Sequence, residues 1–364
     1  MKLIISAGGT GGHIYPALAI INKFKEKEKN LDILYIGTHN RMEKDIIPKH
    51  GIKYESIEIY GFTKNIKQDI KNIFLIRKDI KKCLKIMKEF KPDIVLGIGG
   101  YVTLPVMLAA QKLGIKTFIH EQNSLPGKTN LYLQKKTDLI GISFKDSAKY
   151  FNKCQGEVFF SGNPCGENAL NIKPMPKETI GLNKNKKLVV VVAGSLGSAT
   201  VNAKMKDFLN NAKDKDYEVL YITGNSHYSE FVKGERFPAN VKVIPYLDNL
   251  AALLKNCDLL VTRAGASTMS EILSLGLPSI FIPSPYVANN HQYYNALEIK
   301  NNNAGELIEE KELTSKKLDN MINKVLFDET KYKEMKKNLK KMSIDNSSEI
   351  IYKKIKDLIE CKKN

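Results

Sequence analysis

MKLIISAGGTGGHIYPALA, residues 1–19, opens with an apolar run, turns through four glycines and continues as a helical pattern. Lys2–Ser6 reads as a buried strand. Gly8-Gly9-Thr10-Gly11-Gly12-His13 then falls where the strand meets a helix. Glycines there let the backbone approach a ligand closely and aim N–H groups at an anion. His13 begins the helix and Pro16 lies in its first turn, where proline is tolerated. A tight turn alone has no need of four glycines. The spacing is not a dinucleotide fingerprint: Ile14 occupies the third glycine position, and the second strand ends in Gly37-Thr38 rather than an acid. Nor is there a P-loop, because Gly127-Lys128-Thr129 has Gln122 where the upstream glycine belongs.

The same design recurs at Leu188–Val192 followed by Ala193–Gly197. Further strands are expected near Ile33–Ile36, Tyr54–Ile57, Ile94–Leu96, Thr117–Ile119 and Leu139–Ile142 in the first half. In the second half they fall near Val219–Ile222, Val241–Ile244, Leu259–Val261 and Ser279–Ile282. Short apolar runs separated by helical stretches imply parallel sheets covered on both faces. The expected architecture is α/β, two Rossmann-like domains. Residues 1–162 form the first, 163–185 a Pro-, Asn- and Lys-rich linker, and 186–364 the second, ending in Lys/Glu-rich helices. Ligands of such sheets sit at the carboxyl ends of the strands, which places the expected site in an interdomain cleft.

The chain has 364 residues, 43% apolar and 26% charged, which suits two globular domains and excludes disorder, collagen and a disulfide miniprotein. No apolar run reaches the roughly 18 residues of a membrane span, and no secretory leader is expected. Cys83, Cys154, Cys165, Cys257 and Cys361 form no CxxC pair, as suits a reducing compartment without a zinc site. Lys and Arg number 57 against 39 Asp and Glu, a net +18. That excess fits an anionic membrane, phosphorylated substrates or lysine-rich drift. A nucleic-acid role lacks any recognised motif. Lys64–Lys91 concentrates ten basic residues against three acids around an apolar helical stripe, with Phe74, Leu75 and Ile76 as an extra knot. This reads as a membrane-surface helix.

Other loops join the candidate site. Gly97-Ile98-Gly99-Gly100-Tyr101 and His120-Glu121-Gln122-Asn123 follow strands on the same side as the first glycine loop. Gly194-Ser195-Leu196-Gly197-Ser198 and Arg263–Glu271 do the same in the second half. The N–H groups and hydroxyls of Ala266–Thr268 suit a phosphate, and Glu271, one turn in, suits both hydroxyls of a ribose. Asn290-His291-Gln292 opens a later helix and suits sugar hydroxyls. Asp214-Lys215-Asp216 has a DxD form, read here as a solvated turn, and no cluster has metal-ligand spacing. Neither metal nor cofactor is expected.

Together these segments resemble the MurG family of UDP-N-acetylglucosamine transferases, which make lipid II in peptidoglycan synthesis. GGTGGHIYPALA from Gly8, RMEKDIIPKHGI from Arg41, KPDIVLGIGGYV from Lys91, HEQN from His120, GNP from Gly162, AGSLG from Ala193, RAGASTMSE from Arg263 and GLPSIFIP from Gly276 carry the resemblance nearly end to end. It implies a GT-B fold and metal-independent, inverting transfer at the inner face of the cytoplasmic membrane. The acceptor, a muramoyl peptide on a polyprenyl diphosphate, would lie on the first domain near Gly99, Gly100, Tyr101, His120 and Glu121. UDP-N-acetylglucosamine would contact Thr10, Gly11, Gly12, Asn123, Ser195, Leu247, Ala266, Ser267, Thr268, Met269, Ser270, Glu271 and His291 or Gln292. His13 is the expected general base. The chain departs from the family where an arginine usually follows GNP: here Cys165-Gly166 stand. It also departs at Thr103-Leu104-Pro105 and at His291, where a glutamine is common. Rival readings are a diacylglycerol glycosyltransferase or UDP-sugar epimerase on the same fold, and a non-catalytic nucleotide-sugar-binding subunit.

Overall fold

The computed structural model describes residues 1–61, 66–194 and 197–361, the side chains of 66–68 excepted. The chain forms two compact units, Met1–Cys165 with Asn346–Asn364, and Gly166–Asp345. The strands of the first are β1 (Lys2–Ala7), β2 (Asp32–Thr38), β3 (Lys53–Ile57), β4 (Ile94–Gly99), β5 (Lys116–Glu121), β6 (Leu139–Ile142) and β7 (Glu157–Phe160). They form one sheet in the order β3-β2-β1-β4-β5-β6-β7, every pair parallel. The second unit contributes β8 (Lys187–Val192), β9 (Tyr217–Ile222), β10 (Val241–Ile244), β11 (Leu259–Thr262), β12 (Ser279–Phe281) and β13 (Glu306–Leu307). Their order is β10-β9-β8-β11-β12-β13, again parallel. The short edge strands β7 and β13 were not expected from the sequence.

Both faces of the first sheet are covered, which is why β1 is apolar throughout. Leu3, Ile5 and Ala7 join one core with Ile14, Ile21 and Phe24 of the helix Gly11–Lys27. Ile4 points the other way, into a core with Val95, Cys83, Met87 and Val106. Strand order reverses at β1, flanked by β2 and β4, and at β8, flanked by β9 and β11. Crevices open at such switch points. At the first, the register of β1 on β4 slips between Ser6 and Ala7, where the glycine loop begins.

The basic helix runs from Ile66 to Phe90. Asn72, Leu75, Asp79, Cys83 and Met87 form its buried stripe, at the three- and four-residue spacing of one helix face. The knot expected at 74–76 therefore divides. Leu75 is only 9% exposed, Ile76 packs against the core, and Phe74 is 65% exposed. Ile70 at 50% and Ile73 at 45% extend the exposed apolar surface in place of Leu75. Among the described residues, no helix is long and apolar enough to cross a membrane.

The tail departs from the expected partition, which kept everything after residue 186 in the second half. The helix Ser347–Glu360 buries Ile351 and Ile355 in the core of the first unit, and Tyr352 meets Phe24 edge-on at 5.1 Å. Tyr352 and Lys356 both donate to Glu28, at 2.8 and 2.7 Å. The reason is the apolar face of the Gly11–Lys27 helix, which this amphipathic tail covers.

Candidate active site

In the first unit, the loops after β1 and β4 touch. The Gly8 N–H donates to the Gly99 carbonyl at 3.2 Å. Gly100 has φ +89°, and a Cβ there would stand 2.4 Å from Gly8 O, so no other residue fits. His13 Nδ1 lies 3.0 Å from the same Gly8 carbonyl and 3.5 Å from Thr10 Oγ1. A Cβ on Gly99 would meet the His13 ring at 2.5 Å, so the two glycine loops wrap the imidazole. Thr10 caps the helix in an extended conformation, and Gly11 and Gly12 supply its first N–H groups with no acid in that turn. Such an end attracts negative charge. The glycines, Thr10 and His13 thus meet at one switch point, with Tyr101 beside Gly9.

His120 and Glu121, expected on the acceptor side, have their side chains engaged by protein partners. His120 is wholly buried in β5. Its Nε2 is 3.0 Å from Gly162 O, and Gln122 Nε2 is 2.9 Å from its Nδ1. Burial pushes its pKa down to about 4, so the ring is neutral at ordinary pH. Gln122 also donates to Ile98 O at 2.6 Å, tying β5 to the loop after β4. Glu121 accepts from Asn123 N, Asn123 Nδ2, Gly127 N and Asn130 Nδ2 at 2.8–3.2 Å. It shapes the 122–127 turn and holds Asn123. Central strands bury inward-pointing side chains, and buried polar groups must find partners.

Glu43 carried no role in the sequence reading. It is fully buried and accepts from Gly9 N, Thr38 N and Thr38 Oγ1 at 3.2, 3.1 and 2.6 Å. An acid two residues beyond Arg41, in an otherwise solvated segment, was the only sequence signal of it.

In the second unit, the loop after β8 leads into the helix Ala199–Asn210, which Ser198 caps. Ser195, expected at the donor, lies outside the described residues, as does Leu196. Gly197 has φ +75°, and a Cβ there would collide with Thr223 O at 1.9 Å. Arg263 is buried. It donates to Ser198 Oγ at 2.8 Å and Ile282 O at 3.0 Å, and pairs with Glu310 at 2.5 Å. It locks the loops after β8, β11 and β12 together.

The helix Ala266–Leu275 starts beside this loop with no acid in its first turn. Ser267 Oγ is buried with no partner among the described residues, an open position for a ligand oxygen. Thr268 is partly exposed. Of the other residues expected at the donor, Ala266 and Met269 are buried, and Ser270 Oγ donates to Ser267 O at 2.7 Å. Glu271 is partly exposed, and burial alone pushes its carboxyl up to about 7.

Leu247 is half-buried in the loop after β10. His291 and Gln292 open the helix His291–Asn301, behind Asn289 and Asn290 in left-handed conformations. His291 Nδ1 is 2.9 Å from Ala288 O, and Gln292 Oε1 accepts from Ser284 N at 2.9 Å. The absence of an arginine after GNP has a steric counterpart. A Cβ on Gly166 would stand 2.8 Å from Ser270 O and 2.4 Å from Ser274 Oγ. Asp214 and Asp216 precede β9, at the amino end of the sheet. Among the described residues, no group of three His, Cys, Asp or Glu could hold a metal ion.

Residues 3–142 match the glycosyltransferase family 28 N-terminal domain and residues 188–350 its C-terminal domain. The chain is 41% identical over 363 residues to the UDP-N-acetylglucosamine--N-acetylmuramyl-(pentapeptide) pyrophosphoryl-undecaprenol N-acetylglucosamine transferase of Bacillus licheniformis, covering 98% of this chain and 99% of that protein. The identically named protein of Bacillus subtilis is 39% identical over 363 residues, with the same coverage. Among solved structures, Acinetobacter baumannii MurG superposes with a TM-score of 0.81 at 25% identity, over 99% of both chains.

Proposed function

The chain belongs to the UDP-N-acetylglucosamine--N-acetylmuramyl-(pentapeptide) pyrophosphoryl-undecaprenol N-acetylglucosamine transferases of glycosyltransferase family 28, and on that premise we propose how its two loop sites share the reaction. The enzyme transfers N-acetylglucosamine from its UDP donor to lipid I, forming lipid II for peptidoglycan synthesis. In this reading the first unit presents the acceptor to His13. Its neutral imidazole takes the proton of the muramoyl 4-hydroxyl as that oxygen attacks the anomeric carbon. One in-line displacement through an oxocarbenium-like state inverts the sugar.

UDP leaves carrying the charge, which backbone N–H groups at the N-terminus of the Ala266–Leu275 helix and the hydroxyls of Ser267 and Thr268 receive. Glu271 accepts from the ribose hydroxyls and Leu247 borders the uracil. Thr10, Gly11, Gly12 and Asn123 in the first unit, and His291 or Gln292 in the second, complete the donor contacts, with Ser195 retained as an expectation. Gly99, Gly100 and Tyr101 border the acceptor, while His120 and Glu121 hold the loops in place. Because the acceptor's lipid stays in the bilayer, the enzyme docks peripherally on the cytoplasmic face of the membrane.

The observation that carries this reading is the placement of glycines at the strand-order reversal of each sheet, at Gly8–Gly12 beside β4 and, at the end of β8 beside β11, at Gly194 and Gly197. A two-substrate transfer needs one crevice for each substrate. The test is transfer of labelled N-acetylglucosamine to a short-chain lipid I analogue in the presence of EDTA. Product is expected with the wild type. His13→Ala should lose roughly 10²–10⁴-fold in turnover, the range of a general base, while calorimetry shows UDP binding unchanged. Retained turnover would move the base elsewhere, and loss of product in EDTA would end the metal-free reading.

A further inference from the structure

We propose that Glu43 is a positioning residue that acts through the single peptide joining Gly8 to Gly9, holding the His13 ring with its proton on Nδ1 and its basic nitrogen at Nε2. The inference rests on the reading of His13 as the base. It starts from a buried acid whose partners among the described residues, Gly9 N, Thr38 N and Thr38 Oγ1, are all neutral. Two glycines clear the space. A Cβ on Gly8 would stand 2.3 Å from Glu43 Oε1, and one on Gly37 would stand 2.9 Å from Glu43 Cγ. A buried tyrosine, Tyr35, and a half-buried one, Tyr54, line the same region. Tyr35 donates to Ala7 O at 2.9 Å and Tyr54 to Thr38 O at 2.6 Å.

The Gly9 N–H and the Gly8 C=O belong to one peptide unit. Glu43 Oε2 accepts from its nitrogen end at 3.2 Å, and His13 Nδ1 stands at its oxygen end at 3.0 Å. An N–H bound to an anion makes the carbonyl of the same peptide a better acceptor, because the bonds polarise one another. A carbonyl cannot donate, so it selects the imidazole tautomer whose Nδ1 carries the proton. The lone pair of the neutral ring is then on Nε2, the nitrogen this arrangement assigns to the acceptor hydroxyl. A buried carboxylate holding a catalytic imidazole directly is a known device; here a peptide is interposed. Gly100 contributes by its missing side chain, since a Cβ would push against that same Gly8 carbonyl at 2.4 Å.

The test is ¹⁵N NMR of the six histidines, with the His13 signals assigned by their loss in His13→Gln, alongside steady-state kinetics. The neutral His13 ring of the wild type should show a protonated Nδ1 and an unprotonated Nε2. In Glu43→Gln the Nε2–H form should gain population. Its kcat should fall roughly tenfold to a hundredfold, the range seen when a partner that orients a functional imidazole is lost, with KM for UDP-N-acetylglucosamine unchanged. A purely structural role would lower stability without moving the tautomer. A folded Glu43→Gln protein with wild-type tautomer and kcat overturns the proposal. So does a wild-type ring protonated on Nε2, which decides the matter even if the variant does not fold. If His13→Ala retains turnover, the base assignment fails, while the tautomer measurement still reports on Glu43 by itself.

Discussion

Replacing Ile70, Ile73 and Phe74 together by serine tests whether the exposed side of the basic helix docks on a bilayer. Full burial of a side chain of this size is worth roughly 1.5–3 kcal/mol. Scaled by the exposures of 50%, 45% and 65%, the three offer roughly 2.5–5 kcal/mol. At about 1.4 kcal/mol per tenfold, vesicle affinity should drop roughly a hundredfold to a thousandfold. Arg77, Lys78 and Lys81 are exposed on the same helix, and each basic group near an anionic surface adds about 1 kcal/mol. That share is screened by salt, whereas the apolar share is not. The assay is co-sedimentation with vesicles containing anionic lipid, at low and high salt. Leu75→Ala is the internal control. It removes a buried side chain, so it should destabilise the fold by roughly 2–5 kcal/mol while the folded fraction still binds. A triple variant that folds and binds like the wild type at both salt concentrations would refute the docking surface.

Three further outcomes are expected. The Glu271 carboxyl, pushed from 4.5 to about 7, holds its proton more tightly in the native state, so its contribution to stability is greatest below pH 4.5 and declines as pH rises to about 7. Only its ionised form accepts from two ribose hydroxyls, so calorimetric affinity for UDP-N-acetylglucosamine should rise from about pH 6 to about 8; a profile that Glu271→Gln leaves unchanged would refute the assignment. Burial lowers His120 from 6.5 to about 4. The unfolded chain therefore takes up the proton first, and the stability this neutral ring contributes is complete above pH 6.5 and lost as pH falls towards 4, roughly 3 kcal/mol in all; urea melts of His120→Gln should lack that slope. Gly166→Arg should lower the thermal midpoint instead of adding donor affinity, because the helix backbone at Ser270 stands 2.8 Å from its Cβ; tighter UDP binding with an unchanged midpoint would contradict this.

The local alphabet of the chain determined a good deal by itself. Short, β-branched apolar runs such as Leu188–Val192, ended by glycine, read as strands buried on both faces, so two parallel sheets followed from the sequence. Glycine loops at strand ends marked both switch points, because only glycine allows the loop after β4 to touch Gly8 O. Tertiary structure decided what periodicity cannot encode. Leu75 lies inside and Phe74 outside because helix rotation is set by what packs against it. His120 and Glu121 belong to a stretch that reads as a functional loop in the sequence, but it ends the central strand β5, and burial turned them into braces. The tail returned to the first unit because the helix that follows the first glycine loop had an uncovered face. Glu43 became a partner of the Gly8–Gly9 peptide only through a contact spanning 34 residues, and no spacing rule reports which backbone N–H a distant carboxylate will reach.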